Sequence, residues 1–443
     1  MKSVSSLLTR MMHSRWYPGI IQYPVLAIFI FITYELFFGP INAHHNVGTA
    51  LTWVLWWPLL PLLFLLSGRF WCAICPFATI SDAVQRLVGN NRPVPRFLKK
   101  YGIWLIDAFF IAITWSDHVF GIVESPRGSA FMMVLIALGA ITAGAFFERR
   151  TWCRYICFLG GLAGNYSRTG LVQLRGTPSI CQNCKTASCF RGGSAARGCP
   201  MFEYVRTMDT SARCNLCGRC VKNCPNHSIH VSLRRPFSEL WFITRPRYQE
   251  SFLAVVIMGI VFVQNMTMLS FWQHWQTALE TLLHTQNYAI TFTIIFLIAM
   301  AIPVGLLYLA SWAMSHMNSE STHMNFARFG YALIPLDFSA HMSHNLFHLL
   351  AEGNTLINTG KAALGLGASN LPPAVLSMGT IQILQYLLLT IGGLGSIYTA
   401  YRIAKANYSN TRPAKIIIPM LLLLVVLFLV NAYTFSQPMM HRM

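Results

Sequence analysis

The chain has 443 residues, 54% of them hydrophobic and only 11% charged, with a mean hydropathy of +0.48 and a formal net charge of +19. Soluble domains carry about 25% charged residues, so the composition excludes an ordinary soluble protein and reads as a mostly α-helical polytopic membrane bundle. The basic excess needs no nucleic-acid partner, because Lys and Arg gather on the cytoplasmic loops of membrane proteins.

All twelve cysteines fall between Cys72 and Cys224, which argues against a disulfide framework and fits thiols kept reduced on a cytoplasmic face. Residues 1–17, with Lys2, Arg10 and Arg15, read as a basic cytoplasmic tail rather than a cleavable leader, since no small-residue cleavage site follows the apolar run.

A first span is expected at 19–38, since about 20 apolar residues cross the hydrocarbon layer. His44 and His45 sit in a short outer loop. Span two, 47–68, opens with WVLWWPLLP, read as interfacial and lipid-facing Trp with Pro58 and Pro61 bending the helix. An inner loop carries Arg86, Arg92, Arg96, Lys99 and Lys100. Span three, 101–120, turns through GIVESP into span four, 129–147.

Spans two and four end alike, in RFWCAICPFATI and RTWCRYICFLGG. The spacing predicts Cys72 with Cys75, and Cys153 with Cys157, on single helical faces. Two helix pairs with matching ends suggest a pseudo-symmetric four-span unit over residues 18–150. Its four thiols would hold a further metal or cluster, act as dithiols, or simply be buried small side chains.

Residues 151–250 form the next inner stretch. Cys214, Cys217, Cys220 and Cys224 spell C-x2-C-x2-C-x3-C-P, the run in which three thiolates wrap one [4Fe–4S] cluster and the fourth reaches a second. Upstream, Cys181, Cys184, Cys189 and Cys199-Pro200 are a stretched version. Crossed ligation predicts Cys181, Cys184, Cys189 and Cys224 on one cluster, and Cys214, Cys217, Cys220 and Cys199 on the other. A zinc ribbon also uses C-x2-C pairs, but the cluster spacing and the two Cys-Pro endings favour iron–sulfur. PNHSIHVSL, beyond the last cysteine, reads as a short strand with His227 and His230 at the surface.

Five further spans are expected in residues 251–443, at 252–271, 287–313, 329–351, 374–400 and 416–433. Lys405, Arg412 and Lys415 place the loop before the last span inside, and the short C-terminal tail outside. The fold class is therefore a helix bundle of about nine spans, N-terminus inside, with an inserted cytoplasmic two-cluster ferredoxin-like domain.

The Trp-Cys motifs at helix ends, the GIVESP turn and the following two-cluster stretch resemble, over about residues 18–235, the membrane polyferredoxins of the NapH, NosR and CcoG types. The resemblance implies an electron conduit in a prokaryotic cytoplasmic (inner) membrane, with two [4Fe–4S] clusters on its inner face. NapH-like and NosR-like members link the quinol pool to periplasmic respiratory enzymes; CcoG-like members handle copper. This chain departs from the family's C-x3-C-P: Cys72 and Cys75 are separated by two residues and keep Pro76, while Cys157 is followed by Phe158.

The second half has its own polar signature. His341, His344 and His348 form one helical stripe in the span at 329–351, bordered by Asn345 and Glu352 with Asp337 a turn before. Ionisable groups in a span face a cavity, a cofactor or one another. Three readings stand: haem b, with His274 or His284 as second axial ligand; a metal site; or a quinone site with histidine and carboxylate as proton acceptors. The plain alternative is a polar seam between helices. Glu35 and Asp107 are lone intramembrane carboxylates, for which pairing inside the bundle is the expectation.

There is no C-x-x-C-H for covalent haem and no Walker phosphate loop. The leading reading is a membrane-bound electron-transfer subunit that passes electrons through two [4Fe–4S] clusters between the quinone pool or a cytoplasmic donor and a periplasmic or membrane redox enzyme, working with a redox partner protein or complex, whether or not as a component of a quinol-linked oxidoreductase. Its rivals are a copper-reducing protein using Cys72, Cys75, Cys153 and Cys157, and a redox-sensing assembly factor.

Overall fold

The computed structural model describes residues 2–367, 371–408 and 413–439; Arg412 and the tail 440–443 lie outside the described residues. Eight helices among them are long and apolar enough to cross a membrane: Gly19–Phe38, Val47–Ser67, Arg96–Phe120, Pro126–Phe146, Tyr248–Met266, Tyr288–Ser315, Met378–Asn407 and Ile418–Ser436. The expected span at 329–351 is absent from this set. It resolves into a 3-10 turn, Gly330–Leu333, and a helix of 18 residues, Ile334–Ala351. Fourteen of those 18 residues are buried, so this is a core helix sheathed by protein, and its polar residues lower its hydropathy.

The chain divides into two compact units that interleave along the sequence. Residues 1–31, 62–106 and 132–239 make the first; residues 32–61, 107–131 and 240–443 make the second. The compact units thus run across the expected boundaries at 150 and 250.

In the first unit the Cys-rich stretch folds around a two-stranded antiparallel sheet. Strand β1, Val172–Gly176, pairs with β2, Ile229–Leu233, in a register that sets Leu174 opposite Val231. Alternation places Val172, Leu174, Ile229 and Val231 in a small core. The N-terminal segment is part of that core. Helix Lys2–His13 and the residues after it supply Met12 and Tyr17, and the Tyr17 hydroxyl donates to the Leu216 carbonyl at 2.6 Å. The expected free tail is therefore a structural element: an apolar stripe of Leu8 and Met12 covers a face the short sheet cannot bury alone.

In the second unit, helix Ile334–Ala351 packs along Met378–Asn407. The contact is close because Gly392 leaves room: a Cβ there would lie 2.4 Å from the Ser339 Cβ. Ser343 Oγ donates to the Gln385 carbonyl, and Gln385 Nε2 donates back to the Ser343 carbonyl, each at 3.2 Å. Residues Ala50–Trp56 form a π-helical stretch. Trp57, expected to face lipid, is buried at 8% exposure, with its ring centroid 6.4 Å from that of His341. Sequence reading also missed an amphipathic helix, Ser270–Leu283, where a loop was expected.

Candidate metal centres

The twelve thiols, all in the first unit, gather into three groups of four. The first is the set expected for one ferredoxin cluster. Ser228 ties two of its members together, its hydroxyl lying 3.5 Å from both Cys181 Sγ and Cys224 Sγ, while its N–H donates to Cys224 Sγ at 3.4 Å. Burial pushes the Cys189 thiol up, and its neighbours Cys224, Cys184 and Cys181 add to the shift. An open pocket is walled by these four cysteines with Tyr204 and Arg206. Cys184 is partly exposed, and hydrogen bonds from Thr186 and the Ala187 N–H lower its pKa. Gly176, at the end of β1, makes space for this group: a Cβ would stand 2.5 Å from Cys181 Sγ.

The second group is the other expected set. Burial pushes Cys199 up to about 11, with Cys217 next in effect, and Cys214 to about 12, with Cys199 and Cys217 among its neighbours. Cys220 is raised well above the usual thiol value by burial, then by Cys214, Cys217, Cys199 and finally Cys189. The last term matters, because Cys189 belongs to the first group: the two groups adjoin.

The third group joins the two Arg-x-Trp-Cys repeats. Burial raises Cys75 to about 12, with Cys153 and Cys72 adding to it; it raises Cys153 to about 11 against the pull of Arg150, with Cys72 adding; and it lifts Cys157 well above the usual value, with Cys153, Cys75 and Cys72 adding. The pairs do not lie on single helical faces. Cys72 is in a short helix, Trp71–Ile74, but Cys75 is extended (ψ 130°) and starts the next helix, Pro76–Val88. Proline explains the break, since it disfavours helical backbone in the residue before it and suits a first helical position. The second repeat breaks identically without proline: Cys153 is in Thr151–Tyr155, and Cys157 (ψ 117°) starts Phe158–Tyr166. Each second cysteine thus heads a helix, where backbone N–H groups of Phe77 and Ala78, or of Gly160, reach its sulfur.

The arginines of the two repeats are exchanged. Arg69 donates to the Cys153 carbonyl at 3.3 Å and, through Nε, to Cys72 Sγ at 3.4 Å; Arg150 donates to the Cys72 carbonyl. Each repeat therefore holds the backbone of the other at its first cysteine. Both guanidinium groups are buried. Asp82 takes hydrogen bonds from Arg150 Nη2 at 2.9 Å and Arg219 Nη2 at 3.1 Å, and Arg69 also donates to the Ala212 carbonyl at 2.6 Å. Burial opposes ionisation of Asp82, yet Arg150, Arg219 and Arg86 hold its carboxyl below the ordinary range. These links bind the repeats to the ferredoxin-like stretch. Between them, Cys217 packs directly against Ala73 and Ile74, so the second and third groups adjoin as well. Nothing in the sequence pairs Arg69 with Cys153; a repeat whose two halves each carry arginine was the only sign.

Thiols alone make up each group, the donor set of an iron–sulfur cluster. Among the described residues, no three His, Cys, Asp or Glu side chains close tightly enough around one point to ligate a single metal ion.

The histidines of the second unit form a sealed seam. His341, His344 and His348 are each 1% exposed. His344 Nδ1 meets Asn265 Oδ1 at 2.8 Å, joining helix Ile334–Ala351 to Tyr248–Met266, and His348 Nδ1 meets Glu352 Oε1 at 3.2 Å. His274 and His284, expected as partners across a haem, are exposed on and just after the amphipathic helix. Asp107 is buried, and neither carboxylate oxygen finds a hydrogen-bond partner among the described residues, contrary to the pairing expected of it.

Comparison with known proteins falls on the same repeats. A family model described as a 4Fe-4S binding domain matches residues 49–95 and 129–174, the segments holding Cys72, Cys75, Cys153 and Cys157. The "Putative electron transport protein YccM" of Escherichia coli (strain K12) is 27% identical over 201 residues, covering 39% of this chain and 53% of that protein. The chain thus spans about half the length of that relative. The "Uncharacterized protein MJ0749" of Methanocaldococcus jannaschii is 21% identical over 175 residues, 39% of this chain and 67% of that protein. No solved structure matches. The chain carries a 4Fe-4S binding domain and long apolar helices suited to a membrane, and the comparisons support an electron-transfer role.

Proposed function

We propose that this protein is a membrane electron-transfer subunit with three [4Fe–4S] clusters in series. Cys181, Cys184, Cys189 and Cys224 hold the first, Cys199, Cys214, Cys217 and Cys220 the second, and Cys72, Cys75, Cys153 and Cys157 the third. The observation that carries the reading is the adjacency of the groups: Cys189 beside Cys220, and Cys217 seated on Ala73 and Ile74. A [4Fe–4S] cluster supplies one-electron transfer when bound. The chain's own residues bury Cys217, Cys72 and Cys153, direct N–H groups at the sulfurs of Cys75 and Cys157, and lock the repeats through Arg69 and Arg150. Four thiolates suit a cubane, whose four irons each take one, and the matched 4Fe-4S family segments hold these same four cysteines, which supports a cluster at the third site.

The third group follows directly on the spans Val47–Ser67 and Pro126–Phe146, which supports a route between an exposed surface and the membrane. Positive-inside bias supports an inner-face position for the clusters. The electrons then pass between a donor on that face and the quinone pool or a membrane-bound or periplasmic redox enzyme. The test is iron and acid-labile sulfide content with EPR after reduction. Replacing Cys75 and Cys157 together by serine should remove one third of the iron and one EPR signal, leaving the rest. Unchanged iron, or copper bound by the unaltered protein at these four thiols, would sink the three-cluster reading.

A further inference from the structure

We infer that the surface around Cys184 is the docking site of an acidic one-electron carrier protein. The inference rests on the electron-transfer reading but adds a partner to it. Among the described residues, the first thiol group lines an open pocket walled by its four cysteines. An electron exchanged with a soluble protein has its shortest route there. The rim is basic: Arg206 lines the pocket, Lys185 follows Cys184 directly, and Arg191 lies two residues beyond Cys189, all three exposed. Arg206 is close enough for its charge to act on Cys184.

The surrounding sequence does not neutralise this rim. Residues 171–240 contain ten Lys and Arg but only Glu203, Asp209 and Glu239 as acids. Glu239 is buried and paired with both Arg175 and Arg234. Ile180, 39% exposed and adjacent to Cys181, adds an apolar contact of the kind found at the centre of a small transient interface.

A basic loop is also what positive-inside bias produces, and an anionic lipid surface would attract it. The position of the charge separates the two. Arg206 lines the pocket and Lys185 adjoins Cys184 in sequence, and opposite potentials raise encounter rates where the redox group is exposed. In the exchange, a carrier reduced by one electron docks, loses that electron and leaves oxidised by one. The group held by Cys181, Cys184, Cys189 and Cys224 gains it. No bond or proton is transferred.

The full-length protein in lipid nanodiscs is titrated with purified flavodoxin as the acidic probe and with cytochrome c as a basic control, at low and high salt. Flavodoxin should bind and weaken at least tenfold between about 50 and 200 mM salt, as screening requires, while cytochrome c should not bind. Lys185→Glu with Arg191→Glu should weaken flavodoxin binding at least tenfold with iron content unchanged. If that variant loses iron, Lys185→Gln with Arg191→Gln serves, with a several-fold loss expected. Absence of flavodoxin binding, equal binding of cytochrome c, or charge reversal that affects only attachment to anionic vesicles would overturn the inference. Iron content is read in every sample, so failure of docking with full iron is distinct from failure of the cluster reading.

Discussion

Asp82→Asn should strongly destabilise the first unit, because Asp82 is buried between two arginines. The substitution keeps the shape of the side chain but removes the charge that faces Arg150, whose side chain is 1% exposed, and Arg219, at 14%. Breaking a buried ion pair by removing one partner costs about 3–5 kcal/mol, because the remaining charge is left without compensation. The Arg219 contact is nearer solvent and adds at most about 1 kcal/mol. For a unit of this size, about 3–5 kcal/mol lowers a melting midpoint by roughly 6–20 °C. Unfolding followed by tryptophan fluorescence and by loss of the visible cluster absorbance would measure it. A second variant sharpens the test: Asp82→Leu with Arg150→Met removes both charges and should recover part of the loss. Recovery should be incomplete, because the Cys72 carbonyl loses its donor, costing about 1–3 kcal/mol. A shift below about 1 kcal/mol for Asp82→Asn, or no recovery in the double variant, would refute the argument.

The same pair gives a pH dependence. Arg150 and Arg219 prevail over burial and depress the folded pKa of Asp82, so its stabilisation is complete above the unfolded value of about 3.9 and fades as pH falls through the folded one. Acid unfolding of Asp82→Asn should lack this component. Gly176→Ala should disturb the first thiol group selectively: its Cβ would meet Cys181 Sγ at 2.5 Å and Val205 Cγ1 at 3.1 Å, so one cluster's EPR signal should change or vanish while the others persist. His344→Phe should lower the stability of the second unit by about 1–3 kcal/mol through the stranded Asn265 side chain, with iron content unaltered. A loss of iron in that variant would tie the histidine seam to the clusters instead.

That Cys214, Cys217 and Cys220 lie together was legible because their spacing is local. The same holds for the strand IHVSL and for the long apolar helices. What the sequence hid is non-local or depends on one backbone angle. Periodicity put Cys72 and Cys75 on one helical face, but a ψ of 130° at Cys75 ends the helix there. Pro76 announced that break, whereas Phe158 gave no such signal in the other repeat. The basic character of residues 1–17 marked a tail, while the packing of Met12 and Tyr17 on the small sheet depends on partners some 200 positions away. The helix Ile334–Ala351 read as a span because its apolar residues are many; its burial on nearly every side is a tertiary fact that hydropathy does not carry. The histidines were visible as a stripe, but only the structure shows them closed off.

The exchange of arginines between the two repeats has a consequence for biogenesis. Neither half of the third thiol group is finished until the other has arrived, because each first cysteine is held by an arginine made about eighty positions away. On the proposed three-cluster reading, loading of the third site should therefore follow the meeting of the two repeats, because a lone pair lacks the arginine that holds its first cysteine.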